Sequence, residues 1–374
     1  MNSASGKNRV RISCRHKVLF SLAAFFCFVI LAEMALRLTG LAKAPAERYY
    51  TDIFEAAYEL LPGVRVPFGN HDLPDDPTNH AGFRGPEFAD RKPAGAYRII
   101  SVGDSTAFGV LVPEPQTFPR LLETKLRAAS SQPVEVLNAG IPGTTIYSHR
   151  LLFERKLRNY RPDLVILYVL FNSDPNIEIL RQLEKKHDEG RDNLLVRLQS
   201  GLRDLKLYRL LRREIKGSER AMIASQIQTT RTRLGDFSVE AAWCRDGFRE
   251  DLENIARDAR EAGVKLLLVY HLTQIILDAR LDQEKDPSRE IMPSERLYDS
   301  FRDLTADFCQ KKNLLFLDLL PAFLAAEREG KKLFVDPVHF NGNGHSLAAE
   351  ELTKLILNNS DQLQFSRRET AKAN

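Results

Sequence analysis

The chain has 374 residues and is 43% hydrophobic, enough for one large or two modest domains with a substantial core. Its net charge of +4 divides unevenly: residues 1 to 40 hold six Lys or Arg and one Glu, leaving 48 basic against 49 acidic residues elsewhere. A near-neutral remainder lacks the electrostatic footprint of a nucleic-acid binder, and four cysteines are too few for a disulfide framework.

In chain order, Lys7, Arg9, Arg11, Arg15 and Lys17 precede an apolar run from Val18 to Ala32, and no acid appears before Glu33. Helical character continues through Leu38, which makes the segment just long enough to span a bilayer with Glu33 and Arg37 at the interface. The positive-inside rule then keeps the first residues in the cytoplasm and puts everything after about Gly40 in the periplasm or outside the cell. A cleaved signal peptide is the alternative. Ala42, Lys43 and Ala44 offer a small-residue site, but Pro45 directly after it disfavours cleavage, so an uncleaved single-pass anchor is the preferred reading. In that topology Cys14 is cytoplasmic and Cys27 lies in the membrane. Cys244 and Cys309 then share an oxidising compartment, where they either pair or remain two buried thiols.

Residues Glu47 to Leu61 suit a short helix, and Pro62 to Pro93, rich in Pro, Asp, Asn and Gly, reads as an extended connector. From Tyr97 onward strand and helix patterns alternate. Strands are expected at 97–103, 134–138, 163–171, 264–271 and 314–318, and helices near 117–130, 147–159, 241–262, 295–312 and 343–358. This alternation predicts an α/β fold, a parallel sheet with helices on both faces joined by right-handed crossovers. Asn176 to Phe237 interrupts it, with Leu194, Leu198, Leu202, Leu205 and Leu210 spaced as in an amphipathic helical insertion. Attached beside the mouth of the sheet, the insertion suits a cap over a substrate cleft, extra packing on the sheet, or a membrane-facing surface.

Chemistry in an open α/β sheet collects beyond the carboxyl ends of the strands. The first strand ends in Gly103-Asp104-Ser105, which sets a hydroxyl at that position. The second runs into Asn138-Ala139-Gly140-Ile141-Pro142-Gly143-Thr144, a loop able to present bare backbone N–H groups. Asn172 follows the strongly apolar third strand, where a side-chain amide can donate to an oxyanion. Near the other end Asp336-Pro337-Val338-His339 spaces a carboxylate and an imidazole three residues apart in a loop. A serine hydroxyl needs a base to take its proton, and the base works better when a carboxylate sets its tautomer. His149, His271 and His345 have no acid at that spacing and read as satisfied polar residues, while Asp104 reads as a holder of the serine turn. No Cys or His cluster has the spacing of a zinc site.

Taken together these blocks resemble the SGNH hydrolases, the superfamily of GDSL esterases and lipases. The likeness spans roughly Tyr97 to Leu357 and rests on four ordered motifs: Gly103-Asp104-Ser105, Asn138 to Gly143, the strand ending at Asn172, and Asp336 to His339. Asn79, Ala81, Gly82, Phe83, Arg84 and Gly85 also resemble a stretch that precedes the serine block in membrane-anchored relatives, and an edge contribution to the fold suits them better than substrate contact. The third block departs from the family's Gly-x-Asn-Asp. Aligned from Asp163 it reads Leu170-Phe171-Asn172-Ser173, and a register shifted by one sets Ser173 opposite the asparagine and keeps Asp174.

The resemblance implies a flavodoxin-like three-layer α/β/α domain with a five-stranded sheet in the order 2-1-3-4-5. It implies Ser105 as nucleophile, His339 as base and Asp336 as its orienter. The oxyanion hole would come from the N–H groups of Ser105 and Gly143, favoured over Gly140, and the Asn172 side chain, with no metal and no cofactor. The expected organisation is a basic tail and anchor at 1–40, a connector at 41–96, the hydrolase-like domain at 97–360 with the insertion 176–237, and a polar tail at 361–374. The expected function is a membrane-anchored extracytoplasmic serine esterase acting on O-acyl, notably acetyl, esters of glycans, with an acylated polysaccharide as partner. An acyltransferase with the same three residues, a lipase or phospholipase, and a glycan-binding or assembly protein without turnover are the alternatives.

Overall fold

Tyr97 to Val102 is a run in which every residue is buried, including the aliphatic Ile99, Ile100 and Val102. Strands covered on both faces read this way because neither side meets water. The structure is a computed structural model and describes residues 13–39, 50–53, 57–66, 77–169, 207 and 237–368. Residues 13–39 and Leu207 fall in one compact unit, and the other described residues fall in a second.

In the first unit, α1 (Cys14–Thr39) is long and apolar enough to cross a membrane, with an 18-residue stretch of mean hydropathy 2.4 within Arg15–Thr39. Phe20, Phe25, Phe26, Phe28, Ile30 and Leu31 are all exposed. Its one acid is paired: the Glu33 carboxylate accepts from Arg37 Nε one turn on, at 2.7 Å, and from the Leu207 N–H at 2.9 Å.

The second unit begins with β1 (Tyr50–Ile53) and β2 (Ala57–Leu60), an antiparallel pair with Tyr50 opposite Leu60 and Ile53 opposite Ala57. Within the expected helix Glu47 to Leu61 the described residues are therefore corrected to two paired strands. Tyr50, Thr51, Ile53 and Tyr58 are aromatic or β-branched residues that suit a pleated ladder, and so short a helix is marginal in water.

The central sheet contains β3 (Tyr97–Val102), β4 (Val134–Asn138), β5 (Leu164–Val169), β6 (Lys265–Tyr270) and β7 (Leu315–Asp318), all parallel in the order β4-β3-β5-β6-β7. This is the expected 2-1-3-4-5 arrangement, with boundaries shifted by a residue or two. Between these strands lie α2 (Ser105–Phe108), α3 (Phe118–Ala129), α4 (Ile146–Arg155) and the later helices Phe237–Glu261, Gln274–Lys285 and Pro293–Lys312, and after β7 come Leu320–Arg328 and Gly342–Asn358. Packing sorts them into layers: α3 lies against Gly342–Asn358, while α4 and Pro293–Lys312 lie against Phe237–Glu261. Right-handed crossovers put these two groups on opposite faces of the sheet. Every side chain of β5 is buried, so the core runs through the middle of the sheet.

Leu363 and Phe365, in the segment expected as a polar tail, are buried, and Tyr97 Oη donates to the Leu363 carbonyl at 2.7 Å. Cys309 is a free, buried thiol, and burial pushes it up to about 12; the side chain of Cys244, its expected partner, lies outside the described residues. Apart from Leu207 and Phe237, the expected insertion 176–237 lies outside the described residues.

Candidate active site

Immediately past β3 the chain turns at Gly103, where a Cβ would lie 2.6 Å from the Ala107 Cβ and 2.8 Å from the Tyr168 Cβ, and enters α2. Asp104 caps this helix with extended backbone (φ −88°, ψ −151°), its Oδ1 accepting from the Thr106 N–H at 2.9 Å. That is the holding role the sequence suggested. Ser105 follows as the first helical residue, half-buried, at the carboxyl end of a strand flanked by β4 and β5.

The imidazole arrives from the other end of the chain. Phe334 and Phe340 form an antiparallel bridge, and the Val335 N–H donates to the His339 carbonyl at 2.9 Å, closing residues 335–339 into a tight loop. Inside it Asp336 Oδ1 accepts from the Val338 N–H at 2.8 Å and the His339 N–H at 2.7 Å, leaving Oδ2 for His339 Nδ1 at 2.7 Å. Pro337 anchors the loop through its carbonyl, which accepts from the Gln274 N–H at 3.0 Å. His339 Nε2 lies 2.9 Å from Ser105 Oγ, across 234 residues of sequence.

An ionised carboxylate only accepts, so Nδ1 of His339 carries the proton toward Asp336, and Nε2 is left to accept from the serine hydroxyl. Partial burial pushes the Asp336 carboxyl up. The hydrogen bond from the His339 ring and those from the two backbone N–H groups outweigh this and hold it below the usual carboxylate range. Asp104 goes the other way: burial raises it, against the Thr106 N–H and the nearby His339. The two acids near His339 are thus driven apart, with the one on the ring favoured as the anion.

The loop after β4 runs beside the serine turn. The Ala139 N–H donates to the Ser101 carbonyl at 2.8 Å and the Ile141 N–H to the Gly103 carbonyl at 2.9 Å. Gly140 is packed on α2, where a Cβ would meet the Phe108 nitrogen at 2.3 Å. Gly143 is exposed, at φ +78°, with nothing among the described residues within 4 Å of where a Cβ would stand, whereas Gly140 is packed against backbone. Thr144 steadies this loop, its hydroxyl donating to the Ile141 carbonyl at 2.7 Å and meeting His149 Nε2 at 3.0 Å. Asn172 and Ser173 lie outside the described residues.

The remaining histidines near the site are buried and neutral. Desolvation lowers His149, His271 and His345 to about 3 each. His271 Nδ1 meets Tyr168 Oη at 2.9 Å, and His345 Nδ1 accepts from the Phe118 N–H at 3.2 Å. No group of metal-ligating side chains is found among the described residues. The arrangement is able to pass a proton from a half-buried serine to an imidazole whose other nitrogen is held by an anion. Sequence reasoning left one participant without a role, Arg84, whose guanidinium is bound to carbonyls just behind the serine helix.

The chain is similar to solved structures of lipolytic and acetylxylan-cleaving proteins. One is a member of the lipolytic protein G-D-S-L family from Veillonella parvula DSM 2008, at 13% identity and TM-score 0.40, covering 70% of this chain and 98% of that one. A second is the acetylxylan esterase Axe2 from Geobacillus stearothermophilus, at 16% identity and TM-score 0.41, covering 70% and 94%. A third is the acetyl xylan esterase AlAXEase, at 16% identity and TM-score 0.41, covering 69% and 99%. Likeness at this level carries no residue's role across. No family model and no curated protein matches the chain.

Proposed function

We propose that this protein is a serine esterase of the SGNH type that cleaves carboxylic esters through an acyl-enzyme. The observation that carries the reading is the unbroken run from Ser105 Oγ to His339 Nε2 at 2.9 Å and from His339 Nδ1 to Asp336 Oδ2 at 2.7 Å. Ser105 Oγ attacks the ester carbonyl carbon while its proton passes to His339 Nε2. The negative charge that develops on the carbonyl oxygen is met by the N–H groups of Ser105 and Gly143 and the Asn172 amide. His339 then gives the proton to the leaving alkoxide, and the acyl group remains on Ser105. Water attacks in turn, losing a proton to His339, and the carboxylic acid departs as His339 returns that proton to Ser105 Oγ, the acid then ionising in solvent. Asp336 stays ionised throughout and stabilises the imidazolium.

The substrate class in this reading is an O-acyl, notably acetyl, ester of an envelope or secreted glycan. The helix Cys14–Thr39 anchors the chain with residues 1–40 as tail and span. Residues 41–96 lead from the span into the catalytic domain, 97–360, on the extracytoplasmic side, and Ala81, Phe83, Leu363 and Phe365 from either side of it pack into its core. The basic residues before the span and its exposed apolar face support that topology.

Ser105→Ala is expected to abolish both labelling by a fluorophosphonate probe and turnover of acetyl esters. His339→Ala is expected to lower kcat by roughly a hundred- to ten-thousandfold with folding intact. Labelling that persists in Ser105→Ala would remove the nucleophile from the mechanism. A panel of acyl-chain lengths and acetylated polysaccharides, assayed for released acid and for acyl groups moved onto sugar hydroxyls, reads the specificity directly. Faster turnover of long-chain esters would point to lipids instead.

A further inference from the structure

Arg84 is 4% exposed, so its guanidinium is buried inside the fold. It sits in a loop whose shape is set by Asn79. The Asn79 Oδ1 accepts from the Ala81 and Phe83 N–H groups at 3.0 Å each, and its Nδ2 donates to the Pro86 carbonyl at 3.0 Å. The Arg84 N–H donates to the Asn138 carbonyl at 3.1 Å, which fastens the loop to the edge of the sheet beside β4.

From this position the guanidinium reaches the far end of α2. Nη1 donates to the Phe108 carbonyl at 3.1 Å and to the Gly109 carbonyl, Nη2 donates to the Val112 carbonyl at 2.8 Å, and Cζ lies 5.0 Å from the centre of the Phe108 ring. A helix of four residues leaves its last carbonyls without helical partners, and Phe108, Val110 and Val112 are buried beyond the reach of water. Gly109 ends the helix in the left-handed region at φ +83°. Its N–H and that of Val110 both donate to the carbonyl of Ser105, at 3.0 and 3.1 Å. The turn gripped by Arg84 is therefore the turn that holds the Ser105 backbone.

We propose that Arg84 is a positioning residue for the Ser105 nucleophile: its guanidinium fixes the 108–112 turn, which in turn sets the distance from Ser105 Oγ to His339 Nε2. The proposal rests on the esterase reading above. A lysine keeps the charge and lacks the planar fork that serves three carbonyls at once, whereas a glutamine keeps two donors and loses the charge.

The test uses the full-length chain in detergent, with wild type, Ser105→Ala, Arg84→Lys and Arg84→Gln compared by circular dichroism, fluorophosphonate labelling rate and acetyl-ester kinetics. Folded Arg84 variants are expected to label about ten- to a hundredfold more slowly and to lose kcat by the same factor, since small misplacements of a reacting group cost that much. KM is expected to change by no more than about twofold. Folded variants with wild-type labelling and kcat overturn the proposal. Failure of both variants to fold also overturns it, by making Arg84 a support of the fold. A wild type that is neither labelled nor active overturns the esterase reading and this inference together, whereas a labelled wild type with unchanged variants overturns the inference alone.

Discussion

Asp104 holds the serine turn through one acceptor oxygen, and its burial makes the consequence of removing it specific. Loss of a side-chain cap costs about 0.5–2 kcal/mol, and asparagine caps as well as aspartate. Burial raises the Asp104 carboxyl, so the folded protein favours its protonated form, and ionisation above the ordinary value of 3.8 works against folding. Asp104→Asn, which cannot ionise, is expected to be at least as stable as wild type at neutral pH in denaturant unfolding, with Asp104→Ala less stable by about 1 kcal/mol. An alanine variant as stable as Asp104→Asn would show that the cap contributes nothing. Ser105, Asp336 and His339 could be picked out in the sequence because their chemistry is in the side chains and the spacing between acid and base is short. Arg84 could not be assigned a role because its partners are main-chain carbonyls, which leave no mark in the residue types of 108–112.

Elements were legible where burial dictates composition. The five sheet strands are near-continuous apolar runs ending in turn residues, and all five form within a residue or two of their expected bounds. The helices Gln274–Lys285 and Leu320–Arg328 were not anticipated. In the first, Ile275, Ile276 and Leu277 are consecutive apolar residues that hide the helical period, and the second is short and opens with a proline at its second residue. The 77–90 loop was equally opaque, because its order comes from contacts among polar side chains. His80 is the clearest of these: Nδ1 meets Glu87, and Nε2 meets Asp90 at 2.8 Å. Two carboxylates both accept, so both contacts are complete only when the ring is doubly protonated. The hydrogen bonds to Asp90 and Glu87 accordingly raise His80 above its ordinary 6.5. The sign follows from the raised folded value: the stabilisation is fully present below 6.5 and is lost as pH rises through the folded value. Wild type is expected to lose more Tm than His80→Gln between mildly acidic and mildly alkaline buffer. Equal losses would show that the ring does not tie this loop. The effect is small because the three groups are exposed and screened.

At the scale of the whole molecule, the question is whether the apolar helix stays with the chain and in the membrane. Its exposed phenylalanines and leucines have no described partners to bury them in the manner of a core helix, and its one acid is neutralised by Arg37 a turn away. A charged residue at the centre of a spanning helix costs about 2.5–3.5 kcal/mol, so two such charges outweigh much of the insertion free energy. The full-length chain is expected to remain in the pellet after alkaline carbonate extraction of membranes, and the double variant Phe26→Arg, Ile30→Arg to move to the supernatant. N-terminal sequencing of the mature protein separates anchor from signal peptide. A start directly after Ala44 would mean that the helix is removed and the rest of the chain released, whereas the original N-terminus, still joined to a pelleted chain, keeps the proposed esterase tethered at the membrane, as its proposed action on envelope glycans requires.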